Sequence, residues 1–200
     1  YTVTVFPDPV AGLSVAPSSS VCAGELMTFT ATGGSEYLFY VNNIAQGVWS
    51  GNATFQSSTL NNGDVVHVGV RNIHGCEANS APIALTINQL EANISITGPV
   101  PGLSTVCRNS NVTFSASPAG AVNYEFFATR GGVDVPLYQG NQNVLSISNL
   151  QNNDEVYVRI TDANSCVDVS DKIRVSVVEL PVPVVNITPV PLCEGSPVTL

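Results

Sequence analysis

The chain has 200 residues, only 10% of them charged, with a formal net charge of −9. That length has room for two ordinary domains of roughly 100 residues, each with a modest core. The acidic balance leaves no cationic footprint for nucleic acid or an anionic membrane. No apolar run of about 18 residues and no basic-then-apolar leader is present, so the expectation is a soluble stretch without membrane insertion, any export signal lying outside it.

In chain order, Tyr1-Thr-Val-Thr-Val5 matches Ile83-Ala-Leu-Thr-Ile87 and Ile173-Arg-Val-Ser-Val177. It is therefore expected to be the last strand of a preceding repeat. Phe6-Pro-Asp-Pro9 reads as a linker, matched by Asn88-Gln-Leu-Glu91 and Val178-Glu-Leu-Pro-Val-Pro183, in which proline holds the chain extended. One stretch then occurs three times. It runs Cys22-Ala-Gly-Glu-Leu-Met-Thr-Phe-Thr-Ala-Thr-Gly-Gly34, Cys107-Arg-Asn-Ser-Asn-Val-Thr-Phe-Ser-Ala-Ser117 and Cys193-Glu-Gly-Ser-Pro-Val-Thr-Leu200. The spacings, 107 − 22 = 85 and 193 − 107 = 86, are those of whole domains rather than solenoid rungs. The expected division is 1–6 from a preceding repeat, complete repeats at 7–88 and 89–178, and the start of another at 179–200.

Inside each repeat the hydrophobic period is two. After a short strand at Leu13-Ser-Val15 or Ile94-Ser-Ile96, Met27, Phe29 and Ala31 alternate with Leu26, Thr28 and Thr30, and Val112, Phe114 and Ala116 with Asn111, Thr113 and Ser115. One face points to a core and the other to water. Tyr37-Leu-Phe-Tyr-Val41 and Tyr124-Glu-Phe-Phe-Ala128 follow, with Phe39 and Phe126 central. A variable middle section holds Trp49 in one copy and Val135-Pro-Leu-Tyr138 in the other. Polar corners at Leu60–Asp64 and Leu150–Asp154 precede Val66, Val68 and Val70, and Val156, Val158 and Ile160, all expected in the core. A tight turn, Asn72-Ile-His-Gly-Cys76 or Asp162-Ala-Asn-Ser-Cys166, leads to the closing strand. About seven short strands per repeat and no helix predict an all-β chain of tandem immunoglobulin-like sandwiches.

The combination of Cys-x-Gly, Val-Thr-Phe, Tyr-x-Phe-Phe and a late Asn-x-x-Gly-Cys turn resembles the tandem immunoglobulin-like repeats of large Bacteroidota surface and secreted proteins. That family includes type IX secretion cargo and gliding-associated adhesins. Arg108 and Asn109 depart from the Ala-Gly of the first copy, and the second copy has a longer middle section. The resemblance implies an extracellular bacterial location. Its modules serve as stalk, spacer or adhesin, so it does not fix an activity.

Five cysteines at repeat-fixed positions point to disulfides in an oxidising compartment; zinc would want Cys-x-x-Cys or nearby histidines. Cys22 precedes the second strand and Cys76 follows the sixth, which in an alternating sandwich lie at opposite ends. A seven-residue strand spans roughly 23 Å, against about 7 Å between bridged Cα atoms. The topology favours an interdomain bond between Cys22 and Cys166, with Cys76 facing a cysteine before residue 1, Cys107 and Cys193 pairing downstream, and Cys193 unpaired in this stretch. The alternative keeps the bonds inside each repeat, Cys22 to Cys76 and Cys107 to Cys166.

No catalytic set recurs in both copies. His67 on an outward face and His74 in a turn lack ligand partners at metal spacing. No cofactor is implied. Asp64, Asp154, Glu155 and Asp162 offer oxygens for calcium, and turn formation explains them more simply. The sequons at Asn52, Asn93, Asn111 and Asn186 arise readily in an Asn-, Ser- and Thr-rich chain. Trp49, Tyr138, Tyr40 and Phe127 are candidates for an aromatic sugar platform, with packing on the second sheet as the other reading. The functional expectation is a non-enzymatic, disulfide-stiffened stalk, fibre or adhesin shaft whose partners are neighbouring repeats. The alternatives are a module binding glycan or protein, and a subunit of a filament built from like chains through strand edges.

Overall fold

A computed structural model describes residues 1–180 and, beyond them, Glu194 alone. Cys193, the start of the third repeat and the sequon at Asn186 lie outside the described residues. Among those residues every regular element is a strand, and no helix is long and apolar enough to cross a membrane.

In the first repeat the strands are β1 Gly12–Ala16, β2 Ser20–Cys22, β3 Met27–Thr32, β4 Glu36–Val41, β5 Ile44–Ala45, β6 Thr54–Ser57, β7 Val65–Arg71, β8 Glu77–Asn79, β9 Ile83–Ala84 and β10 Thr86–Asn88. The second repeats them as β11 Asn93–Gly98, β12 Thr105–Cys107, β13 Val112–Ser117, β14 Asn123–Arg130, β15 Val133–Gly140, β16 Val144–Ile147, β17 Glu155–Thr161, β18 Val167–Val169, β19 Ile173–Arg174 and β20 Ser176–Val178. Each repeat packs a three-stranded sheet, β1-β3-β6 or β11-β13-β16, against a five-stranded one built on β4 and β7 or β14 and β17. The short segments combine into the seven strands of an immunoglobulin-like sandwich. The opening strand changes sheet between β1 and β2, and the closing strand is cut into three pieces.

The cuts have local causes. At Ser80 the backbone N–H donates to the Val68 carbonyl (2.9 Å) while the hydroxyl accepts from Val68 N–H (3.2 Å) and donates to the Ala81 carbonyl (3.0 Å). Ser170 does the same against Val158 and Asp171. Both serines are buried, and their hydroxyls replace ladder bonds that the kinked strand gives up.

The alternation along each strand fills two separate cores. Met27, Phe29 and Ala31 meet Phe39, Val66, Val68 and Val70 in the first, while Val112, Phe114 and Ala116 meet Tyr124, Phe126, Val156, Val158 and Ile160 in the second. Tyr124 is fully buried; its hydroxyl donates to the Pro118 carbonyl (2.7 Å) and accepts from Ala121 N–H (3.0 Å). Two points of the sequence reading are corrected. Residues 1–11 form no strand, because among the described residues Thr4–Phe6 has no counterpart of the neighbour that β2 gives β10. Cys22 and Cys107 do not stand in a turn; each ends a strand that runs parallel to the closing strand.

Candidate functional site

The parallel pairing positions the cysteines. In a sandwich with an odd number of alternating strands, the first and last strands run the same way and finish at the same end. Cys22 therefore lies opposite Asn88, the last residue of the closing strand, where the chain leaves the first repeat. Ala23 N–H donates to the Asn88 carbonyl (3.0 Å) and closes the ladder. The chain then turns sharply through Gly24, whose φ is +81°. In the second repeat Asn109 takes the same left-handed conformation, φ +62°, which asparagine tolerates better than other residues with a side chain.

Cys166 reaches this point from the second repeat. Its turn is held by Asp162, whose Oδ1 accepts from the backbone N–H of Asn164 (2.9 Å) and Cys166 (2.8 Å). The turn lies at the entry end of its sandwich, beside the incoming linker, and Cys166 Sγ is 3.9 Å from the Asn88 carbonyl oxygen. Cys22 and Cys166 are joined by a disulfide with Cα atoms 5.5 Å apart. The pairs Cys22 with Cys76 and Cys107 with Cys166 are not made. Two further ties fix the linker to the second repeat. Asp168 Oδ2 accepts from Ala92 N–H (2.7 Å), and Leu90 packs on the second core. Asp168 was missed in the sequence; the signal was a carboxylate two residues after the repeat cysteine in a strand of otherwise apolar residues.

The other candidates are dispersed. Asp64 is engaged by Asn61 N–H and Asn42 Nδ2, both at 2.8 Å. Asp154, with its side chain 2% exposed, accepts from Arg130 Nε (3.0 Å) and Nη2 (3.0 Å) and from Gln151 N–H (2.8 Å). Glu155 lies 3.9 Å from Lys172, and Asp162 serves its turn. Among the described residues no group of three or more such side chains gathers around one point. His67 stacks on Tyr40 (centroids 4.7 Å) and His74 on Phe6 (3.6 Å).

The four aromatics do not form one platform. Tyr138 turns inward and meets Phe126 edge-on at 6.2 Å. Trp49 lies on the outer face with the Arg71 guanidinium 4.2 Å from its ring centre. A Cβ on Gly69 would stand 3.1 Å from that indole, so glycine makes room for it. In the second repeat Arg159 holds the position of Gly69; Phe127 stacks on Tyr157 (5.2 Å) and Arg159 covers Phe127 (5.7 Å). Arg159 also donates to Glu125 from Nε (2.6 Å) and Nη2 (2.8 Å), which lowers the Glu125 carboxyl below its ordinary range. Burial, then its bond to Asp134, pushes the Tyr157 phenol up.

Two all-β sandwiches with split opening strands, tied across their linker by a disulfide, define a tandem immunoglobulin-like module. No family model and no curated protein matches the sequence. Among solved structures, the chain is similar to the fibronectin(III)-like modules of Clostridium thermocellum CbhA, with 15% identity, 83% of this chain and 95% of that one covered, and a TM-score of 0.39. It is similar to the three N-terminal domains of the bacteriophage RB49 highly immunogenic outer capsid protein (13%, 84% and 59%, TM-score 0.42). A third likeness is to the human OSCAR ligand-binding domain (14%, 86% and 100%, TM-score 0.35).

Proposed function

We propose that this chain is a structural segment of a long extracellular surface protein, a stalk, fibre or adhesin shaft that carries a functional tip away from the cell. It is non-catalytic, and its partners are the neighbouring repeats of its own chain. The sequence resemblance supports a bacterial surface or secreted protein of the type IX secretion cargo kind.

The observation that carries this reading is the Cys22–Cys166 bridge beside the linker. Contacts between small consecutive domains are ordinarily slight, and hinge motion is the default. Here the repeats have two covalent ties at one junction, the peptide chain and the disulfide, so bending about the linker alone is restricted. Disulfides of this kind persist in oxidising, extracellular settings.

The test combines shape with binding. Spin labels carried on non-cysteine side chains, one in each repeat, should give a single narrow distance distribution in the oxidised chain and a broad one after reduction. A glycan array probed with the same chain should show no reproducible signal. Equal widths in both redox states would remove the stiffening role, and specific glycan capture would move the assignment to a binding module.

A further inference from the structure

Cys76 and Cys107 occupy the positions of Cys166 and Cys22, one repeat away. In the Cys76 turn, Asn72 Oδ1 accepts from the N–H groups of His74 and Cys76, both at 3.0 Å, and Asn72 N–H donates to the Cys76 carbonyl at 3.0 Å. The Cys166 turn has the same three bonds around Asp162. Cys76 Sγ is 3.9 Å from the Phe6 carbonyl oxygen, as Cys166 Sγ is from that of Asn88. At the other end, Arg108 N–H donates to the Val178 carbonyl (2.8 Å), as Ala23 N–H does to Asn88. Cys107 lies opposite Val178 as Cys22 lies opposite Asn88.

What differs is the state of the sulfur. Among the described residues Cys76 and Cys107 carry free thiols. Cys76 is half-exposed where its bridged counterpart Cys166 is 2% exposed, and Cys107 is half-exposed as the bridged Cys22 is. Cys107 also lines a shallow cavity of about 190 Å³ with Val106 and the exposed Val100 and Leu103.

We propose that Cys107 and Cys76 are the two complementary halves of an inter-repeat disulfide site whose partners are like repeats. Cys107 takes the turn cysteine of a following repeat, and Cys76 takes the strand-end cysteine of a preceding one. The inference rests on the shaft reading and extends it from one clamped junction to a continuous series. Thr4–Phe6 stands where Thr86–Asn88 stands in the first repeat. A strand such as Thr105–Cys107 laid parallel to it in the β2–β10 register puts its cysteine opposite Phe6, beside Cys76 Sγ. The bond forms by exchange with a small-molecule disulfide such as oxidised glutathione. One thiolate attacks it and releases a first glutathione thiol; the second thiolate attacks the mixed disulfide and releases the other. Two protein thiols are oxidised, one glutathione disulfide is reduced, and two protons end on the released thiols.

The test is a tandem chain in which residues 1–178 are followed directly by residues 7–200 of a second copy, exposed to oxidised glutathione and peptide-mapped without reduction. The expected map joins Cys107 of the first copy to Cys76 of the second, and alkylation of both falls at least tenfold. C76S in the second copy should restore alkylation of Cys107. If both thiols stay reactive, or Cys107 takes another partner, while both Cys22–Cys166 bonds are intact, the inference is overturned and the shaft reading stands. A map that also lacks the Cys22–Cys166 bonds overturns both.

Discussion

Cys22 and Cys166 lie 144 residues apart in the chain and 5.5 Å apart between Cα atoms, one at the exit of the first sandwich and one at the entry of the second. The bond therefore acts on both repeats. While either sandwich unfolds with the other intact, the disulfide and the linker pin both ends of a long loop, which limits the conformational freedom of the unfolded segment. A disulfide closing such a loop typically contributes about 2–4 kcal/mol. Reduction, or C22S, should lower the unfolding midpoints of both repeats together. The C22S/C166S double variant should be close to C22S alone, because both remove the same bond. Urea unfolding with tryptophan fluorescence for the first repeat and circular dichroism for the pair checks this; unchanged midpoints would refute it.

Among the described residues Tyr124 is the largest fully buried side chain, and its hydroxyl serves the turn before β14 twice, at Pro118 and Ala121. Y124F keeps the ring and leaves those two backbone groups without their partner. The expected cost is about 1–3 kcal/mol, confined to the second repeat. Denaturant unfolding resolved by repeat measures it, and a neutral result would mean that the turn relaxes to water at no cost.

Arg130 and Asp154 form an ion pair in which the Asp154 side chain is almost wholly buried and the Arg130 side chain is 21% exposed. R130A strands that carboxylate, keeping only the Gln151 N–H among its close donors. Breaking one side of a buried pair costs about 3–5 kcal/mol, and partial exposure of Arg130 places the expectation near the lower figure. R130A/D154A should be less destabilised than R130A, since the stranded charge is gone. A double-mutant cycle decides it.

Glu125 is held below its ordinary carboxyl value by the hydrogen bonds from Arg159. Its folded pKa is therefore lower than its unfolded one. The stability it contributes is complete above the ordinary value of 4.5 and is lost as pH falls through the lowered folded value. Because Arg159 is 46% exposed, the effect is at most about 1 kcal/mol. E125Q should flatten the acid limb of the second repeat's stability profile by lowering the plateau near neutrality, by at most about 1 kcal/mol, while leaving stability at acid pH little changed.

The sequence was most informative where one physical rule governed a whole strand. The period-two alternation of Val66, Val68 and Val70, and of Val156, Val158 and Ile160, defines which face meets the core, and the all-β sandwich follows from it. Tyr124 shares the parity of Phe126 and Ala128, yet its full burial depends on a polar turn closing over its hydroxyl. The outward aromatics were harder to place. Whether Trp49 packs alone or with Tyr138 depends on Gly69 leaving room on one sheet and on Tyr138 turning inward on another.

The repeat, its strand alternation and the fixed place of a cysteine at the start and near the end of each copy are written in the order of residues. Spacing alone left two sets of disulfides open, because residues 54 to 144 apart carry no distance information until the strands are ordered. The partner of Cys22 follows from how the strands pack. The parallel run of Ser20–Cys22 along Thr86–Asn88 carries that cysteine to the exit of its own sandwich. The entry turn of the next repeat, fixed by Asp162, brings Cys166 to the same point.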